Sequence, residues 1–355
     1  MPPARRYAIQ PRRRRVWPWV VGVLLVALVA GVGMSTWVLS RAQHAIDSSM
    51  DGEGGSAVDI FVPTPLDNEA SGRVNILLAG NSFDDAEHEG AALTDSIMVA
   101  SMDMATQHVT LISIPRDLWV EYGGHKMKIN AVFPTAASGT SGADSLGNWR
   151  QGMAALGSVV QKVTNLHIDQ FALVGYTALK DTVDAVGGID VVIATDDKRG
   201  LWDPNVDLKL PNGPAHLDGV DTLKLARARN HPMPGEHPYG INSDWGRADN
   251  QRMILTALLT KVKTTPALAN PATIVGIFDS IAANVRTDLS VSQIRRVLDL
   301  ASNSGPIKSA SIRGTDANLL LRDITTDAGE DVVVPVAGDF DYYSIWRYVA
   351  AACAE

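Results

Sequence analysis

Apolar residues fall along this chain in three patterns, and each pattern predicts a different kind of element. The first is unbroken: Val16 to Leu39 reads VWPWVVGVLLVALVAGVGMSTWVL and carries no charged residue. As a helix it would extend roughly 36 Å, enough to cross a hydrocarbon core of about 30 Å. The second pattern is the short run closed by turn residues. Val74–Ala79 ending at Gly80, Asp95–Met102, His108–Ile114, Ile189–Ile193 and Val332–Val336 all predict strands. Pro115 stops the third of these runs, so Arg116 and Asp117 fall at a strand's end, where a loop presents them. The third pattern is helical. Trp149–Val163, Thr177–Val186 (ended by Gly187-Gly188) and Ser290–Ala301 show it. So does Asp244–Val262, with Asn242 and Ser243 as caps and a stripe through Met253, Ile254, Ala257 and Leu258.

Strands mixed with helices predict an α/β fold, an α-β-α sandwich whose mixed central sheet is flanked by helices, preceded by one transmembrane helix. The expected divisions are an Arg-rich cytoplasmic tail at 1–15, the membrane helix at 16–39, a linker at 40–72 and an extracytoplasmic domain at 73–355. Six arginines in residues 1–15, four of them at Arg12–Arg15, favour retention of that end in the cytoplasm. Trp17, Trp19 and Trp37 sit at the two ends of the apolar run, where amphipathic rings prefer the interface. A cleaved signal peptide is the competing reading, but its apolar core would be shorter, and no A-x-A-like site follows closely. The sequence therefore predicts a single-pass membrane protein with its bulk outside. Cys353 is the only cysteine, so no intrachain disulfide is possible.

Charge separates the two sides. Without the six arginines of the tail, 25 basic residues face 39 acidic ones, a balance of −14. A domain so acidic is a poor partner for nucleic acid. An anionic ligand would need a local cluster of arginines held against the overall field.

The common hydrolase and metal motifs are missing: there is no GxSxG elbow, P-loop, HExxH or Cys-based spacing. His231 and His237 lie in a Pro/Gly-rich loop, which suits solvent exposure better than catalysis. Arginine is what remains. Arg227 and Arg229 are two apart in LARARN, so an extended segment would point both to one side. Arg247 and Gln251 are four apart on a predicted helix, with Asp244 one turn earlier, forming one polar edge. Arg247 falls in that helix's first turn, where the dipole disfavours a cation and a bound anion would reverse the penalty. Guanidinium forks match phosphate oxygens. The bland alternative pairs these arginines with surface carboxylates such as Asp218, Asp221 or Asp249.

Ordered stretches of the chain resemble the LytR–CpsA–Psr family. These are NILLAG (Asn75–Gly80), TDSIM (Thr94–Met98), VTLISIPRDLWV (Val109–Val120), KIN (Lys128–Asn130), HLDGVDTLKLARARN (His216–Asn230) and DWGRADNQRMIL (Asp244–Leu255). The similarity covers nearly all the chain after the linker, and SIPRD followed by ARAR and DxGRxxxQ is a specific combination. It implies a phosphotransferase of the bacterial envelope, which moves a glycan from a polyprenyl-pyrophosphate carrier to peptidoglycan. By motif, Arg116, Arg227, Arg229, Arg247 and Gln251 would hold the pyrophosphate, with Asp244, Lys128 and Asn130 in support. Asp95 and Arg116 would be catalytic, Asp95 would help bind Mg²⁺, and the apolar space between helices and sheet would take the prenyl chain.

Two departures fall in one place. The family's loop after the first strand normally reads G-x-D, but Ser82 stands where its Asp is expected, and Leu93 stands where an Arg normally precedes the motif Asp by two residues. A serine supplies no second carboxylate, so Mg²⁺ would be held more weakly, unless Asp84 or Asp85 substitutes. Asn250 also stands where a basic residue is common. The rival function is therefore a binding or scaffolding protein that grips prenyl phosphate or pyrophosphate without efficient transfer.

Overall fold

The computed structural model describes residues 62–83, 93–138, 147–229, 244–264, 284–315 and 317–354, with a few isolated positions between 40 and 59. The apolar run at 16–39, Asp84, Asp85, Asn242, Ser243, His231 and His237 lie outside the described residues. No helix among the described residues is long and apolar enough to cross a membrane.

The first three strand-forming runs become β1 (Arg73–Asn81), β2 (Thr94–Asp103) and β3 (Val109–Ile114), which are the middle of a six-stranded sheet. A short hairpin, β4 (Trp119–Tyr122) and β5 (His125–Lys128), follows and leads into helix α1 (Val132–Ala137) and helix α2 (Trp149–Thr164). Asn148 caps α2 by accepting the N–H of Gln151, and Met153, Leu156, Val160 and Val163 form its buried stripe. Strand β6 (Gln170–Val174) then pairs parallel to β1, and helix α3 (Tyr176–Ala185) starts two residues beyond it. A turn through Gly187 and Gly188, both at positive φ, ends the helix; a Cβ on Gly188 would sit 2.8 Å from the Leu217 carbonyl.

Four short strands follow: β7 (Ile189–Ile193), β8 (Leu201–Asp203), β9 (Leu208–Leu210) and β10 (Gly213–Leu217). They pair as β7 with β10 and β8 with β9, and lead into helix α4 (Gly219–Arg227). Helix α5 (Asp244–Thr264) precedes β11 (Val285–Thr287), and helix α6 (Val291–Asn303) opens on a capping box between Ser290 and Gln293. Strand β12 (Lys308–Ser311) closes the sheet, whose order is β11-β6-β1-β2-β3-β12. The pairs β1–β6 and β3–β12 are parallel and the others antiparallel, so the central sheet is mixed as expected. Two small hairpins, β13 (Gly314–Thr315) with β14 (Asn318–Leu319) and β15 (Leu321–Thr325) with β16 (Asp331–Pro335), precede the last helix, α7 (Tyr343–Ala354).

Strand alternation builds a core on each face of the sheet. Leu77, Ile97 and Ile112 face Phe133, Met153, Val160 and Ile345 of α1, α2 and α7. Ile76, Met102 and Leu111 face the other way, with Leu300 of α6 and the half-buried Leu255 and Leu259 of α5. A third, smaller core joins β7–β10 to α4 and to Ile254 of α5. Part of the stretch read as linker belongs to this packing. Leu66 is buried in the second core, and Glu69 pairs with Arg296 of α6 at 2.5 Å.

Candidate functional site

Three strands end at the same rim of the sheet. Strands β1 and β6 run parallel, so Asn81 and Val174 finish together, and β3 delivers Arg116 just past its last residue. Strand β2 starts there with Thr94 and Asp95, across a bulge between Gly80 and Asn81. Crevices beyond the carboxyl ends of such strands commonly hold ligands. Here Asp95, Met98, Ser113, Pro115 and Arg116 form one wall of a cleft, and Arg247, Ala248 and Gln251 of α5 form the other.

The charged groups of this cleft are linked. Arg116 Nη1 donates to Asp95 Oδ1 at 2.6 Å, and its Nε lies 3.3 Å from Asp117 Oδ2. Lys128 Nζ balances Asp117 at 2.9 Å, while the Asn130 N–H donates to the Arg116 carbonyl at 3.2 Å. Thr94 Oγ1 donates to the Asn130 carbonyl at 3.3 Å. Lys128 and Asn130 thus brace Asp117, Arg116 and Thr94 from behind. Helix α5 brings Arg247 in on its first turn, only 8% exposed. Asp244 begins that helix, and its side chain lies outside the described residues.

The extended segment expected for Arg227 and Arg229 is corrected. Arg227 is the last residue of helix α4, and only Ala228 beyond it is extended, with φ −68° and ψ 141°. Both arginines are nonetheless exposed on either side of the buried Ala228. The Arg227 guanidinium lies over the Tyr176 ring, 5.5 Å from its centroid. The Tyr176 hydroxyl in turn donates to Asp95 Oδ2 at 3.4 Å. Burial and the Asp95 charge push this phenol up to about 12, against a smaller opposing pull from Arg227 and Arg247. At neutral pH it is therefore a hydrogen-bond donor. Asp95, Arg116, Arg227, Arg247 and Gln251 all belong to this one neighbourhood. Arg229 follows Arg227 at its edge, and its backbone N–H donates to Asp203 Oδ2 at 2.7 Å.

The carboxylates offered as surface partners are occupied otherwise. Asp249 pairs with Arg252, Asp221 with Lys224, and Asp218 caps α4.

Asp203 and Ser113 were not legible as site residues, nor were the contacts of Asn250 and Gln251. Asp203, 2% exposed, also accepts the Asn205 N–H, so one buried carboxylate ties β8 to the arginine segment. Asn250 Nδ2 donates to the Ala228 carbonyl at 3.2 Å, and Gln251 Nε2 to the Ala226 carbonyl at 3.1 Å. The amide nitrogen of Gln251 is therefore engaged in holding the end of α4. Ser113 lines the cleft at 3% exposure, and its Oγ has no hydrogen-bond partner among the described residues. Tyr176 was not legible either, because only the parallel pairing of β6 with β1 puts a residue two past β6 on the same rim as Gly80.

The donor set for Mg²⁺ is thin. Magnesium prefers six oxygens and usually takes one or two carboxylates plus substrate phosphates. Among the described residues no three acidic or metal-binding side chains gather, and Asp95 is the cleft's one carboxylate. Both of its oxygens already accept, from Arg116 and Tyr176. Ser82 is 4% exposed and carries no charge, so these residues by themselves do not fit a protein-built magnesium site.

Comparison with known proteins places the chain among relatives. A family model described as the LytR_cpsA_psr family matches residues 36–329. The polyisoprenyl-teichoic acid–peptidoglycan teichoic acid transferase TagV of Bacillus subtilis is 27% identical over 318 residues, covering 86% of this chain and 73% of the relative. The corresponding transferase TagU of Enterococcus faecalis is 24% identical over 306 residues, covering 85% of this chain and 88% of the relative. The crystal structure of Bacillus subtilis TagV aligns with a TM-score of 0.57 at 22% identity, over 79% of this chain and 97% of that one.

Proposed function

The chain belongs to the LytR–CpsA–Psr family, and from that premise we propose that it is a cell-wall glycopolymer transferase, moving a glycan from a polyprenyl-pyrophosphate carrier to peptidoglycan. The observation that carries this reading is the gathering of Arg116, Arg227 and Arg247 around Asp95 and Tyr176 at one sheet rim. Arginines from three separate stretches, set in an acidic domain, are arranged for a concentrated anion such as a diphosphate. The named transferases TagV and TagU, similar over most of their length, support the same substrate class.

In the proposed reaction an acceptor hydroxyl attacks the phosphorus that carries the glycan. A new P–O bond forms to the acceptor, the bond to the bridging oxygen breaks, and prenyl phosphate leaves. The guanidinium groups offset charge that builds on the transferring phosphoryl oxygens. Asp95, the described carboxylate of the cleft, is placed to take the acceptor's proton. The prenyl chain would pass Met98 of the cleft wall. The apolar run at Val16–Leu39 would hold the domain outside the membrane beside its lipid donor, raising effective concentration. Magnesium would enter only as a weakly held partner of Asp95 and the bound phosphates, and no step above depends on it.

The engagement of both Asp95 oxygens, with Ser82 and Leu93 close by in sequence, favours a second reading: a protein that binds the lipid diphosphate and transfers poorly. Turnover of a polyprenyl-pyrophosphate-linked glycan in the presence of peptidoglycan and Mg²⁺ separates the two. Under the transferase reading the wild type turns over, and Arg116→Ala loses on the order of 10²–10³-fold, as removal of an oxyanion donor does. No turnover in wild type or Asp95→Ala, with lipid still bound, establishes the binding protein instead. Activity gained by Leu93→Arg would mark a chain that has lost part of its machinery.

A further inference from the structure

We propose that Tyr176 is a positioning residue of this site, holding Asp95 with its hydroxyl and Arg227 with its ring. The proposal deepens the diphosphate-binding reading and rests on it. Tyr176 opens helix α3 two residues after β6, so a strand of the central sheet and a helix end both fix its backbone. Its hydroxyl donates to Asp95 Oδ2 at 3.4 Å, while Arg116 Nη1 donates to Oδ1 at 2.6 Å. One carboxylate is therefore shared by a neutral and a cationic donor. The face of the same ring lies under the Arg227 guanidinium, 5.5 Å from its carbon.

Each contact has a consequence for an anion in the cleft. A carboxylate beside a diphosphate repels it and also competes for the arginines. By satisfying one oxygen of Asp95, the phenol lowers the demand that carboxylate places on Arg116, leaving more of that guanidinium's donors for phosphate. By lying under Arg227, the ring presents a cation-binding face that fixes the guanidinium where its edge meets the cleft. Two charges of opposite sign are thus held in register by one side chain that is itself neutral.

The test is a double-mutant cycle on the full-length chain in detergent, using farnesyl pyrophosphate as the probe in metal-free buffer and titration calorimetry as the readout. Tyr176→Phe keeps size and ring and removes only the hydroxyl. It is expected to weaken binding about fivefold, the scale of one hydrogen bond. The same change in an Asp95→Ala background is expected to cost nothing, because the partner is gone. Tyr176→Leu removes the ring as well and is expected to weaken binding about fivefold beyond Tyr176→Phe. That extra loss should vanish in an Arg227→Ala background.

Equal affinity of Tyr176→Phe and wild type overturns the hydroxyl's role, and so does an equal loss in the presence and absence of Asp95. Equal affinity of the Leu and Phe variants overturns the role of the ring. A wild type that does not bind farnesyl pyrophosphate at all removes the diphosphate reading, and this proposal falls with it. A wild type that binds but does not transfer removes only the transferase reading, because every arm of the cycle reads binding.

Discussion

Arg247 is a nine-tenths buried cation on the first turn of a helix, a place where desolvation and the helix dipole both work against its charge. Residues kept under such conditions commonly serve a ligand. Arg247→Met keeps most of the volume but removes a buried charged hydrogen-bonding group, so unfolding free energy is expected to fall by roughly 1–3 kcal/mol. Farnesyl pyrophosphate affinity should fall roughly 10- to 100-fold, as a charged hydrogen-bonding partner is lost. Chemical denaturation and calorimetry on the same preparation check both halves. This residue was legible in sequence because DxGRxxxQ places it on a polar edge beside Gln251. The role of Gln251 was only half legible, since a spacing shows which face a side chain shares and not that its amide will hold the Ala226 carbonyl.

A second residue-level expectation concerns pH. Burial raises Asp288 from its ordinary 3.8 to about 6, although it accepts the Phe171 N–H and has Arg150 nearby. A folded-state value above the unfolded one means that the native state binds this proton more tightly. Its contribution is full below 3.8 and is lost as pH rises through about 6. Asp288→Asn retains an acceptor for Phe171 without the buried charge. After allowance for its remaining solvent contact, the variant is expected to be more stable at pH 7.5 by on the order of 1 kcal/mol. Urea unfolding at pH 7.5 and pH 3.5 reads the difference, which should disappear at the lower value.

At the scale of elements, the arginine segment is suspended rather than free-standing. Helix α4 ends at Arg227, and the residues beyond are tied by Asp203 to the Arg229 N–H, by Asn250 to the Ala228 carbonyl and by Gln251 to the Ala226 carbonyl. Asp203→Ala removes the acceptor of the Asn205 and Arg229 N–H groups, which costs roughly 0.5–1.5 kcal/mol for each hydrogen bond lost. Farnesyl pyrophosphate binding should weaken about tenfold although Asp203 is not among the residues lining the cleft, because the loss reaches the ligand through the segment that carries Arg227 and Arg229. Retained affinity in a folded Asp203→Ala chain would show that the suspension is structural only.

The strands β1, β2 and β3 were legible because each is an apolar run closed by a turn or proline, a signal that needs no tertiary context. Helix α4 was not. LARAR alternates like a strand, and the nine-residue helix is held in part by close packing on α3, where a Cβ on Gly219 would come 2.2 Å from the Lys180 carbonyl. Only the tertiary neighbour decides between the two periods. The hairpin β4–β5 is illegible for a related reason, since its strands are four residues each and one of them, HKMK, is mostly polar and has no buried residue.

For the whole molecule, the site depends on long-range closure. Arg116, Tyr176, Arg227 and Arg247 come from an antiparallel strand end, a parallel crossover and two helices, so nothing local brings them together. The sequence could name the arginines through family motifs, but not Tyr176 or Asp203, whose roles arise only when β6 lies beside β1 and β8 lies beside the end of α4. The domain also takes hold of the chain early, through Leu66 in the core and Glu69 on Arg296, so the segment descending toward the proposed anchor leaves from beside α6. Convergence of guanidinium groups on a lipid-linked diphosphate is the claim on which the functional reading turns. A crystal structure of the chain with farnesyl pyrophosphate tests it most directly. The two phosphorus atoms are expected at the sheet rim, with Arg116, Arg227 and Arg247 donating to their oxygens and the prenyl chain running inward past Met98. A diphosphate bound elsewhere, with those three arginines turned to protein carboxylates, would contradict it.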